Sequence, residues 1–70
     1  MEEMWSARDK DGLLYLFFDE KPIKGIHTWY NKTAGCREIR TSLFPEVQWS
    51  DKEPTKVKLV IEKLYDYHQD

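Results

Sequence analysis

Six consecutive residues, Leu13-Leu14-Tyr15-Leu16-Phe17-Phe18, follow directly on Asp9-Lys10-Asp11-Gly12, and no other stretch constrains the fold as strongly. Asp-Gly is hairpin-turn chemistry, because both central residues of a type I′ turn need φ above zero. A strand starting at Leu13 sends Leu13, Tyr15 and Phe17 to one face and Leu14, Leu16 and Phe18 to the other. Both faces are apolar, whereas a strand in a sheet with one wet face alternates apolar with polar. The hexapeptide therefore belongs inside a sheet with cover above and below. That cover comes from another layer of the chain, from a ligand or from another molecule.

The flanking segments supply partners for such a strand. Met4 to Arg8 places Trp5 and Ala7 opposite to Met4, Ser6 and Arg8, and pairs antiparallel with 13–18 across the Asp9–Gly12 turn. Asp19-Glu20-Lys21-Pro22 breaks the pattern, since Pro22 cannot donate to a ladder, and Ile23-Lys24-Gly25 reads as the rest of that connection. Ile26 to Tyr30 reads as a third strand from its β-branched and aromatic content. Residues 31–35 form a loop, and Cys36 to Arg40 return as a fourth strand anchored by Ile39. Thr41 or Ser42 caps a single helical turn through Leu43 and Phe44, which Pro45 ends. Val47 and Trp49 share one side of an extended piece, and residues 50–54 are a polar loop.

The last segment has two readings. Val57, Val60 and Ile61 are β-branched and favour a strand over 56–63. Val57, Val60, Ile61, Leu64 and Tyr67 or His68 also recur at helical spacing, with Thr55 as N-cap. The expected fold is mainly β, with α+β as its alternative. It is a small antiparallel meander of four or five strands with at most a helical turn near 42–45, a C-terminal helix on the sheet being the other arrangement. Residues 1–63 are expected to form one domain and 64–70 a frayed tail.

Seventy residues leave room for one core and none for a buried cleft of ordinary enzyme size. Such a chain hides only about 60% of its unfolded surface, and oligomerisation is a common remedy. The single cysteine rules out an internal disulfide. Thirteen acidic against eleven basic residues leave a charge of −2, which gives no net attraction to nucleic acid or anionic membrane. Met1-Glu2-Glu3-Met4 lacks the basic and apolar parts of a secretory signal, and no apolar run is long enough to span a bilayer. With an unpaired cysteine, these features lead to the expectation of a cytoplasmic protein without membrane partners. Asn31-Lys32-Thr33 fits the glycosylation pattern, which matters only in a secreted protein.

Candidate chemistry is sparse. Asp9-x-Asp11-Gly12 resembles part of a calcium loop, but aligning Gly12 with the loop glycine puts Ala7 and Phe18 where oxygen ligands are required. Cys36 with His27 suggests a thiol nucleophile, helped by Arg37 and Arg40, yet no third orienting group stands beside them. Two histidines and one cysteine are too few for a structural zinc site. No metal or cofactor is expected. Lys56, Lys58 and Lys63, with Arg37 and Arg40, offer a basic strip near the aromatic Trp29 and Tyr30, the pairing that single-strand binders use. The plainer reading is a solvated strand face whose lysines discourage aggregation. Trp5 and Trp49 are expected to pack inward and Trp29 to be partly exposed.

The segments Trp5-Ser6-Ala7-Arg8-Asp9-Lys10-Asp11-Gly12, Leu16-Phe17, Lys21-Pro22, Trp29, Phe44-Pro45-Glu46-Val47-Gln48-Trp49 and Glu53-Pro54-Thr55-Lys56-Val57-Lys58-Leu59 carry a resemblance. Together they resemble a group of short, uncharacterised proteins of gut Bacteroidetes and of mobile or prophage-like regions in their genomes. The likeness covers most of the chain up to about Ile61 and thins over the tail. It implies a terminal strand rather than a long helix and a bacterial cytoplasmic setting, and no activity, cofactor or catalytic residue. The expected function is a non-catalytic protein-interaction module. Its contact surface is one aromatic sheet face bearing Trp29 and Tyr30 with Leu16 and Phe18, and its partner is an unknown protein or a second copy in a homodimer. The alternative is a small-ligand or single-stranded nucleic-acid binder.

Overall fold

A computed structural model describes residues 4–58. Alternating side chains and the Asp9–Gly12 turn produce the first hairpin, β1 (Met4–Arg8) against β2 (Leu14–Phe18). Its register sets Trp5 opposite Phe17 and Ala7 opposite Tyr15 on one face, and Ser6 opposite Leu16 and Arg8 opposite Leu14 on the other. The turn departs from the two-residue type I′ form. Only Gly12 has a positive φ, at 96°, the Gly12 N–H closes on Asp9 O at 2.9 Å, and Leu13 N–H bonds Asp11 Oδ1 at 3.0 Å. The extra residues leave Asp11 free to stay in ordinary backbone space.

Two further strands complete an antiparallel sheet of order β5-β2-β1-β6, with β5 (Cys36–Ile39) beside β2 and β6 (Thr55–Val57) beside β1. The apolar hexapeptide is thus interior to the sheet, as its two-faced pattern requires. Leu14 is 0% exposed and Phe17 is 2% exposed, and they point to opposite faces. Burying each such side chain contributes about 1.5–3 kcal/mol. On the Phe17 face, Ala7, Phe17 and Trp29 form the core cluster, with Tyr15 and Trp49 packed against it.

On the Leu14 face, Arg8 organises a run without regular structure. Its Nε donates to Val47 O at 2.7 Å and its Nη1 to Gly12 O at 2.9 Å. Weaker bonds of 3.2–3.3 Å reach Thr41 O, Leu43 O and Phe44 O. The helical turn expected near 42–45 is absent for this reason: the carbonyls a helix would use internally are turned toward one guanidinium, and Phe44 sits at φ 50°. The extended piece expected around Val47 and Trp49 is likewise turns, closed by Val47 N–H to Phe44 O and Asp51 N–H to Gln48 O.

A second, two-stranded sheet pairs β3 (Ile23–Lys24) with β4 (Trp29–Tyr30). The expected strand over 26–30 shrinks to its last two residues, and Ile23-Lys24, read as connection, becomes its partner. Gly25 explains the difference. Its N–H bonds Thr28 O at 2.7 Å, and a Cβ there would lie 2.9 Å from that oxygen, so the chain reverses before 26–28 can extend. The fold is mainly β with no helix among the described residues, and its larger sheet is not a simple meander because β6 returns to β1. Lys58, expected within the terminal strand, follows β6 without regular structure, and residues 59–63 of that strand, the helical alternative beyond Lys58 and the expected tail 64–70 lie outside the described residues.

Asn31 secures the join between the sheets. Its Nδ2 donates to Phe18 O and Glu20 O, both at 3.1 Å, and more weakly to Gly35 O at 3.4 Å. The asparagine of the glycosylation pattern is therefore buried, with its nitrogen engaged by backbone.

Candidate functional site

The β3–β4 ribbon is too short to stand alone, since isolated hairpins are marginal in water. It is clamped to the first turn by three bonds. The Trp29 N–H donates to Asp9 Oδ1 at 2.9 Å, Trp29 Nε1 donates to Arg8 O at 3.1 Å, and Lys10 N–H donates to His27 O at 3.0 Å. The clamp turns the Lys24–Trp29 pair inward onto the core and leaves the Ile23–Tyr30 pair outward. Ile23 is 47% and Tyr30 51% exposed, and Ile26 in the connection is 82% exposed. The Tyr30 ring passes over Gly25, next in the chain to Ile26.

Behind that face, the Lys24 ammonium lies 4.3 Å from the Trp49 ring centroid and 5.7 Å from that of Trp29. It donates to Trp49 O at 2.5 Å and to Asp51 O at 3.0 Å. Cation–π attraction and two carbonyls hold the charge, and among the described residues no carboxylate pairs with it. Beside it opens a cleft of about 370 Å³, with Pro22, Ile23 and Pro54 as apolar wall. Lys21, Lys52 and Glu53 stand at the same cleft, and Lys21 pairs with Glu53 at 2.9 Å.

The four residues expected to form one contact surface do not share one. Trp29 is buried, 5% exposed, correcting its expected partial exposure: its amide, its indole N–H and its ring are all engaged. It packs on the Phe17 side of the larger sheet, whereas Leu16 and Phe18 point to the opposite side and are half-buried. Tyr30 alone of the four is exposed. Ile23 and Ile26 were missed because nothing in their spacing distinguishes an outward isoleucine from a core one.

The expected basic strip is divided as well. Arg37 is on β5 opposite Leu16, Lys56 is on β6 opposite Trp5, and these strands are the two margins of the sheet with the side chains on opposite faces. Lys63 lies outside the described residues. Cys36 is exposed at the β5 edge and His27 sits in the β3–β4 connection, with no hydrogen bond between them among the described residues. Asp9 and Asp11, the calcium-like pair, each give an oxygen to a backbone N–H. Among the described residues no group of three or more His, Cys, Asp or Glu is placed to hold a metal ion.

Two ionisable groups are perturbed. Burial pushes the Asp9 carboxyl above its usual value, the Trp29 N–H opposes this, and the Asp11 charge adds to the rise. Tyr15 is also raised, by burial first and then by Glu38, its cross-strand neighbour, with smaller contributions from Asp9, Asp11 and Cys36. Both groups belong to the packing around Trp29 and Phe17. Among the described residues no helix is long and apolar enough to cross a membrane. No protein-family model, curated protein or solved structure matches the chain.

Proposed function

We propose that this chain is a non-catalytic protein-interaction module of a bacterial cytoplasm that associates with a second copy of itself through the outer face of the β3–β4 ribbon. The observation that carries the reading is the exposure of Ile23, Ile26 and Tyr30 on and beside the ribbon, with Ile26 the most solvent-exposed of the large hydrophobic side chains among the described residues. A symmetric dimer needs only one self-complementary patch, and an apolar patch without a charge at its centre is self-complementary. The ribbon suits the task because its inner side is already fixed to Asp9, Arg8 and Lys10, so its outer side is presented rigidly.

Sedimentation equilibrium from about 1 μM to about 1 mM, spanning association free energies of about −8 to −4 kcal/mol, tests this directly. Wild type is expected to pass from monomer to dimer in that range, and Ile26→Asp to remain monomeric. A wild type that stays monomeric throughout, or an Ile26→Asp variant that dimerises equally well, refutes the reading. Ile26 is the right position because its side chain is wet, whereas an aspartate at half-buried Leu16 or Phe18 would disturb the sheet itself.

A further inference from the structure

The cleft beside β3 carries an unbalanced charge. Lys24 is met by two carbonyls and two indole rings, and Lys52 is exposed with neither an ion pair nor a hydrogen bond among the described residues. Lys21 alone is paired, to Glu53, so three cations face one anion on a chain whose overall charge is −2. An ammonium has three donors, and the carbonyls of Trp49 and Asp51 take two of those on Lys24, so its positive charge is not neutralised by either contact. The exposed Lys21–Glu53 pair is of the weak, exchangeable kind and does not close the site. At about 370 Å³ the space falls at the small end of ligand-sized clefts, and Pro22, Ile23 and Pro54 give it an apolar wall.

We propose that this cleft docks an extended acidic segment of a partner protein, with a carboxylate meeting Lys24 and Lys52 while an apolar neighbour lies along Ile23 and Pro54. Charge complementarity selects the occupant. A single-stranded nucleic acid fits less well, because such sites stack bases on open aromatic faces and Lys24 already covers Trp29. The site adjoins the self-association surface and shares Ile23 with it, whereas Lys24, Lys52 and Pro54 belong to the cleft alone.

The test uses fluorescence anisotropy of a labelled hexapeptide alternating glutamate and leucine, with a glutamine–leucine peptide and a thymidine oligonucleotide as comparators. Protein is kept below the concentration at which copies associate, so failure of the dimer has no bearing on the result. The acidic peptide is expected to bind more tightly than both comparators and to weaken as salt is raised. Lys52→Glu should weaken it about tenfold, the equivalent of 1.4 kcal/mol. Lys32→Glu, an equal charge change in a loop away from the cleft, should leave it unchanged. Equal binding of the two peptides, equal loss in the two variants, or tighter binding of the oligonucleotide overturns the proposal.

Discussion

Replacing Arg8 isolates what holds the irregular run from Thr41 to Val47 on the sheet. Five carbonyls accept from its guanidinium, but they are unequal. The bonds to Val47 O at 2.7 Å and Gly12 O at 2.9 Å are short and partly shielded from water. Those to Thr41 O and Leu43 O are 3.2–3.3 Å and exposed, and add little. A hydrogen bond to a charged group contributes about 1.5–3 kcal/mol, so two good ones lost in Arg8→Ala amount to about 3–6 kcal/mol. Arg8→Lys keeps the charge and re-forms one bond from a point donor, leaving a loss of about 2 kcal/mol. A chain of this size has about 3.5–10 kcal/mol in total, so the alanine variant should be partly unfolded at 25 °C and the lysine variant folded but weakened. Urea unfolding followed by tryptophan emission measures both. Hydrogen exchange on the lysine variant should show the Val47 amide opening ahead of those in β1 and β2. An Arg8→Ala midpoint equivalent to less than about 0.5 kcal/mol of destabilisation would refute the partition, since surface changes away from structural features fall in that range.

Two further perturbations read the interior. Asp9 holds its proton more tightly in the folded than in the unfolded chain, so its contribution to stability is fully present below its ordinary value of 3.8 and is lost as pH rises through the raised folded-state pKa. Asp9→Asn keeps an oxygen for the Trp29 N–H, and the wild-type stability relative to that variant should fall as pH rises above 3.8 through the raised folded-state pKa; a rise there would contradict the assignment. Ser6, fully buried between Leu16 and Thr55 across the ladder, has a hydroxyl without a hydrogen-bond partner among the described residues. Ser6→Ala should therefore raise the free energy of unfolding by about 1 kcal/mol, and a loss of stability in urea titration would count against an unmet hydroxyl.

The larger sheet was legible because its signals are local. Asp11-Gly12 marks the turn, the two-faced run from Leu14 to Phe18 demands an interior place, and Val57 carries a β-branched cue that needs no distant partner. The ribbon was not, because what decides it lies elsewhere in the chain. Trp29 is buried by an Asp9 carboxylate and an Arg8 carbonyl some twenty positions away, and Ile23 becomes a strand residue only because Gly25 reverses the chain toward Thr28. The same holds for the run after Arg40. A capping threonine and a following proline describe a helical turn well enough, but they say nothing of a guanidinium that competes for the same carbonyls. The candidate surface followed suit: Tyr30 was recognised as outward, while Lys24 gave no sign in its neighbours that it would sit between two indoles.

The pairing of β6 with β1 sets an order on how the molecule comes into being. As the chain leaves the ribosome, the first hairpin has both its strands by Phe18, and β5 is added within the next twenty or so residues. The far margin of β1 stays bare until Val57 has emerged to lie across from Met4. From the emergence of β1 until that of β6, the nascent protein therefore carries an unzipped strand edge, and such edges are where half-made chains adhere to one another. A burden of that kind falls on the growing polypeptide rather than on the finished one. Slowing translation beyond β5 should raise its tendency to clump, while leaving the released product unaffected.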